Sequence, residues 1–85
     1  MTLHEIKQIS IKEHLHNLGI NSIRSNNRYG MYHSPFREDS NASMKVDYNQ
    51  NLWIDYGTGE GGSIIDLIMK INNYSLNEAI TELSK

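Results

Sequence analysis

Asp55-Tyr56-Gly57-Thr58-Gly59-Glu60-Gly61-Gly62-Ser63-Ile64-Ile65-Asp66-Leu67-Ile68-Met69 is the stretch whose reading decides the fold. Four of the six glycines in the chain fall between Gly57 and Gly62. Glycine reaches backbone angles closed to other residues, so this cluster marks a tight bend out of an extended segment. Ser63 then stands where a helix N-cap belongs. Ile64, Ile65, Leu67, Ile68 and Ile71 follow at spacings that give a helix through Asn72 a wide apolar face. A phosphate-cradling loop would need G-x-x-x-x-G-K-[ST], and no lysine precedes Ser63. The glycines therefore serve the bend.

Upstream of the bend, Leu52 to Tyr56 reads as a strand carrying Trp53, which is expected in the core. Asn49-Gln50-Asn51 is a turn, and Ala42 to Tyr48 alternates, with Met44 and Val46 on one face. Tyr29 to Tyr32 is a short strand after a turn over Arg24 to Arg28. At the amino end, Thr2 with Glu5 and Ser10 with Glu13 match the S/T-x-x-E capping box. They open a short turn, Leu3 to Gln8, and a helix, Ile11 to Leu18, with Gly19 as its stop. Downstream, Ser75 and Glu78 open a last helix with Leu76, Ile80 and Leu83 on one side. The expected class is α+β: an antiparallel sheet of three or four strands, short amino-terminal helices and two carboxy-terminal helices.

Eighty-five residues make a single domain, just above the size at which a hydrophobic core alone suffices. The absence of cysteine excludes disulfides and thiolate metal sites. The longest apolar stretch, Ile64 to Met69, is too short to cross a bilayer, and the amino terminus shows no secretion signal, so a cytoplasmic protein is expected. A net charge of −2 argues against a generally basic nucleic-acid binder. Its distribution points the other way, because Asn21 to Arg37 holds Arg24, Arg28 and Arg37 and no acid.

The segment Ser34-Pro35-Phe36-Arg37-Glu38-Asp39-Ser40-Asn41-Ala42-Ser43-Met44 resembles the C-P-F-H-x-E-K-T-P-S-F run of the zinc-binding domain of bacterial DnaG-type DNA primases. Seventeen residues separate Arg37 from Asp55, the family's gap, and Asp55 to Gly62 overlays its C-F-G-C-G-x-G-G. The helix from Ile64 and the closing Tyr74-Ser75-Leu76-Asn77-Glu78-Ala79-Ile80 are also similar, so the likeness runs from Tyr29 to Leu83. It implies a zinc-ribbon-like sheet. Yet the four ligand positions hold Ser34, Arg37, Asp55 and Thr58. A guanidinium cannot donate to a cation, and hydroxyls with one carboxylate are poor zinc ligands. No metal or other cofactor is expected. Losing zinc removes a folding contribution on the order of 10 kcal/mol in small zinc domains. A polar staple between Arg37 and Asp55, helped by Ser34 and Thr58, is expected in its place, with Phe36, Trp53 and Tyr56 packed around it. His33 and Asp55 alone would be too few ligands for a relocated site.

Arg24, Arg28, Tyr29, Tyr32 and Lys45 have the composition of a surface for single-stranded nucleic acid, with cations for phosphates and rings for bases. Alternation alone would send the aromatic residues into the core. The resemblance implies the amino-terminal domain of a longer primase-like replication or mobilisation protein, as carried by mobile elements. Such a domain engages single-stranded DNA and assists primer synthesis. A Toprim-containing polymerase domain or a helicase would be its partner, and no catalytic constellation is expected in this chain. The alternative is an interaction module that docks on the catalytic domain and never touches DNA.

Overall fold

A side-chain period of two along three central strands builds the sheet around which the molecule is organised. The computed structural model describes all residues, Met1–Lys85. Its elements are α1 (Leu3–Lys7), α2 (Ile11–Asn17), β1 (Arg24–Ser25), β2 (Tyr29–Tyr32), β3 (Met44–Asp47), β4 (Leu52–Asp55), β5 (Gly61–Gly62), α3 (Ile64–Asn72) and α4 (Leu76–Leu83). The five strands form one antiparallel meander in chain order.

Register puts Gly30, Val46, Trp53 and Gly62 in one cross-strand row on the inner face, beside a second row of Tyr32, Met44 and Asp55. Against these rows pack Ile6 of α1, Ile11 and Leu15 of α2, Ile64, Ile65, Leu67 and Ile68 of α3, and Ala79 and Leu83 of α4. The α+β class and the burial of Met44, Val46 and Trp53 agree with the sequence reading. No helix is long and apolar enough to cross a membrane.

The sheet is larger than expected, at five strands. Arg24 and Ser25 pair with Met31 and Gly30, so the turn shrinks to Asn26–Arg28. Asn26 closes it, its side-chain oxygen accepting from the N–H groups of Arg28 (2.8 Å) and Tyr29 (2.9 Å). The second addition comes from within the glycine bend, where Gly61 and Gly62 pair with Ile54 and Trp53. A Cβ on Gly61 would press into the Trp53 carbonyl, so only glycine lets this strand approach so closely.

Helix ends follow the expected chemistry with one difference. Thr2–Glu5 and Ser75–Glu78 form complete capping boxes, and Ser63 forms one with Asp66. At α2 only half forms, since Ser10 accepts from the Glu13 N–H and the Glu13 carboxylate does not return the bond. Gly19, at φ +79°, ends α2. The Ile20 N–H reaches the Leu15 carbonyl (2.8 Å) and the Gly19 N–H that of His16 (2.9 Å), the paired closure of a Schellman motif. Asn51 joins sheet to helices. Its side chain accepts from the Ile11 N–H (2.9 Å) and donates to the Lys7 (3.0 Å) and Ile9 (2.8 Å) carbonyls.

Gly30 carries a side chain's worth of space for Tyr48, whose ring end lies where a Cβ would project. Gly30→Ala should therefore destabilise the chain by roughly 1–3 kcal/mol, as over-packing does elsewhere. A urea unfolding curve measures it, and an unchanged midpoint would mean that Tyr48 moves aside freely.

Candidate nucleic-acid interface and a polar clamp

Arg37 leaves the loop after β2 and meets Asp55 at the end of β4. Its Nε donates to Asp55 Oδ2 at 2.9 Å and its Nη2 to Oδ1 at 2.7 Å, a two-pronged fork. The Asp55 side chain is 0% exposed and that of Arg37 28%. The N–H groups of Gly57 (2.8 Å) and Thr58 (3.3 Å) also donate to Asp55 Oδ1. A Cβ at Gly57 would meet the guanidinium, so the first glycine of the bend makes room for the clamp. The Arg37 guanidinium, followed by the Gly57 N–H, holds the Asp55 pKa below the ordinary carboxylate value against the opposing effect of burial.

A second carboxylate, Asp39, organises the intervening loop. Its Oδ2 accepts from the N–H groups of Ser34 (2.9 Å) and Ser43 (2.8 Å). Its Oδ1 accepts from the Asn41 N–H (3.2 Å) and the Ser43 hydroxyl (3.1 Å), and lies 3.9 Å from Arg37 Nη1. These donors, Ser43 first and Ser34 next, put its pKa well below the carboxylate range. Sequence alone assigned Asp39 no role. The D-x-N-x-S spacing, typical of aspartates that cap their own loops, was the available signal.

The expected staple between Arg37 and Asp55 is present, while its helpers act differently. Thr58 contributes its backbone N–H, and its hydroxyl instead accepts from the Glu60 N–H (3.2 Å). The Ser34 hydroxyl is buried beside Asp55 and adds to the lowering of its pKa, although the two lie outside ordinary hydrogen-bond geometry. Phe36 and Trp53 pack edge to face, 5.5 Å between centroids, as the packing argument requires. Tyr56 does not join them. It is 62% exposed, because the residue after inward-facing Asp55 points to the other side of the sheet.

These residues do not fit a zinc ion. The Arg37 guanidinium stands in the cluster and occupies both oxygens of Asp55, the one carboxylate among the four ligand positions. His33 is also committed locally, its Nδ1 2.7 Å from the Asp39 carbonyl oxygen and 3.2 Å from the Ala42 nitrogen. No three His, Cys, Asp or Glu side chains converge anywhere in the chain.

The opposite face of the sheet is uncovered. Register aligns Arg24, Met31, Lys45 and Ile54 across four strands, with Tyr29, Asp47 and Leu52 in the next row. Lys45 Nζ sits 4.8 Å from the Tyr29 ring centroid. Of the five interface candidates, Arg24, Tyr29 and Lys45 share this face, and Arg28 stands exposed at the adjoining turn. Tyr32 is a correction. It is 3% exposed on the inner face and its hydroxyl is 2.9 Å from that of Tyr48, so it cannot stack on a base at the outer surface. Leu52, Ile54 and Tyr56 are exposed on the outer side and were missed, although Trp53 turned inward implies their direction.

Both clamp carboxylates titrate below the ordinary aspartate value of 3.8. The stability they give is complete above about pH 4 and is lost as pH falls through their folded values. The urea midpoint should stay flat from neutral pH to about pH 5 and drop below about pH 4, less steeply in Asp55→Asn. Arg37→Lys, which cannot span two oxygens, should lower the thermal midpoint less than Arg37→Ala does. A further outcome is expected from the positions themselves. Ser34→Cys, Arg37→His, Asp55→Cys and Thr58→Cys in one chain should bind a single zinc ion by mass spectrometry, and the parent chain should keep its thermal midpoint in chelator.

The chain matches the CHC2 zinc finger family, the DnaG-type zinc ribbon, over residues 2–85. It is 32% identical over 50 residues to a DNA primase of Clostridium acetobutylicum, a stretch that covers 59% of this chain and 8% of that protein. No solved structure matches it. With its sheet, its glycine bend and the Arg37–Asp55 clamp at two of the four ligand positions, the chain belongs to the CHC2 zinc-finger family of DnaG-type primases, as a variant that carries none of the family's metal ligands.

Proposed function

We propose that the uncovered sheet face engages single-stranded DNA and so assists primer synthesis by a primase catalytic domain. The observation that carries this reading is the outer face itself. Arg24 and Lys45 lie in one cross-strand row with Met31 and Ile54, flanked by the rings of Tyr29 and Tyr56. Cations can follow a phosphate backbone while exposed rings stack on bases, and neither contact needs a particular sequence. Arg37 drops out of the cation set, since its donors are committed to Asp55 and the Glu38 carbonyl.

In this reading the chain is a non-catalytic module, the amino-terminal part of a longer replication or mobilisation protein of a mobile element. A Toprim-containing polymerase domain is its natural partner, and a helicase a further one. The rival reading, docking of the same face onto the catalytic domain without DNA contact, is favoured by the exposed Leu52 and Ile54 and by the net charge of −2.

Fluorescence anisotropy with a labelled single-stranded oligonucleotide separates the two. With Arg24, Arg28 and Lys45 on phosphates, log K should fall with log salt at a slope near −2, about 0.7 per contact. Tyr56→Ala should weaken binding by about 5- to 150-fold, the worth of one stacked base at ~1–3 kcal/mol. Absence of binding to any single strand at low salt would leave the docking reading.

A further inference from the structure

A groove of about 430 Å³ opens on the helix-covered side, between α2 and the ends of β2 and β3. Its size falls in the range of small-molecule sites. Lys12, Glu13 and His16 of α2 form one wall, Asn21 lies in the loop beyond, and Tyr32 and Tyr48 make the floor. That floor is built rather than incidental. Gly30 leaves the space that the Tyr48 ring end fills, and this brings the Tyr48 hydroxyl to 2.9 Å from that of Tyr32.

Two phenols that share one hydrogen bond hold two protons and use one. The remaining O–H has no protein acceptor, although Tyr32 is buried. Burial, reinforced by the Tyr48 hydroxyl, raises the Tyr32 pKa, so the Tyr32 phenol keeps its proton. Lys12 Nζ stands 4.7 Å from the Tyr48 ring centroid and brings a positive charge to the same corner. A free hydroxyl proton and an ammonium converging there suit a phosphate oxygen. Glu13 on the same wall makes no ion pair and does not return a bond to its helix cap, so an acceptor carboxylate faces the rest of the groove. His16 Nδ1 lies 3.3 Å from Asn21 Oδ1, which fixes the imidazole and leaves Nε2 open. A pure polyanion would be repelled by Glu13, whereas a ligand with one phosphate and an N–H-bearing ring satisfies both ends.

We propose that this groove binds a single nucleotide, its phosphate held by Lys12 and the Tyr32–Tyr48 hydroxyl pair, and its base presenting N–H donors to Glu13. Guanine fits best, because its Watson–Crick edge carries adjacent N–H donors for a carboxylate. The nucleotide is either free or the phosphorylated end of a strand. The site lies on the other side of the sheet from the proposed strand-binding face and does not depend on it.

Amide NMR titration of the 85-residue chain tests the proposal with guanosine monophosphate, a 5′-phosphorylated guanine-containing dinucleotide and inorganic phosphate. Saturable shifts at Lys12, Asn21, Tyr32 and Tyr48 are expected with either nucleotide, and the tighter of the two identifies the source. Lys12→Gln and Tyr48→Phe should each weaken binding by about tenfold or more, a change of one decade in Kd. Lys12 is exposed, so its replacement keeps the test valid should Tyr48→Phe disturb the core. Three results would overturn the site: equal affinity for inorganic phosphate, shifts confined to the outer face, or no saturation by about 10 mM ligand, weaker than any dedicated site.

Discussion

The fork between Arg37 and Asp55 sets the terms for the rest of the structure. Asp55 is wholly buried at the end of a central strand, and a buried carboxylate is tolerated only when every oxygen is answered. Arg37 answers both, and in doing so ties the loop after β2 to the last long strand. The leftover capacity of Oδ1 receives Gly57 and Thr58, which curls the chain into the glycine bend and returns it as β5. Metal coordination fixes loops by a few strong, directional bonds. Here a bidentate ion pair and a second, self-capping aspartate perform the same geometric task with weaker bonds. The difference in strength falls to packing, of which the Phe36–Trp53 contact and the thirteen-residue buried cluster are the visible part.

Much of this was legible because the local signals are strong. The Ser63 cap, the apolar face of α3 and the alternation of Met44, Val46 and Trp53 follow from spacing alone. The staple was legible only through the resemblance, since nothing in composition says that residues eighteen positions apart, Arg37 and Asp55, must touch. What escaped reading shares a cause. β1 and β5 are two residues long, and their pairing is decided by neighbours rather than by their own side chains. Tyr32 was assigned to the surface by composition, while its parity with the inward-facing Gly30 puts it in the core. Asp39 went unassigned because its partners are mostly backbone N–H groups, which a sequence does not display.

The two faces of the sheet divide the chemistry. The inner face takes every large apolar residue the helices can cover, so the outer face is left with Met31, Leu52 and Ile54 among cations and rings. A small domain with one layer of helices must leave one sheet face open, and an open face is the surface that selection can shape for a partner. Asp47 in the outer row tempers its positive charge, consistent with the modest net charge of the chain.

Both margins of the sheet are two residues long, and one of them is Gly61-Gly62. A flat, extended margin offers a ladder of unpaired peptide groups to any passing strand, and is the usual starting point for fibrils and exchanged dimers. Margins this brief offer too few rungs to hold a newcomer. The rim, where any backbone would serve, is thereby closed to strand addition, and the exposed side chains lie on the face instead.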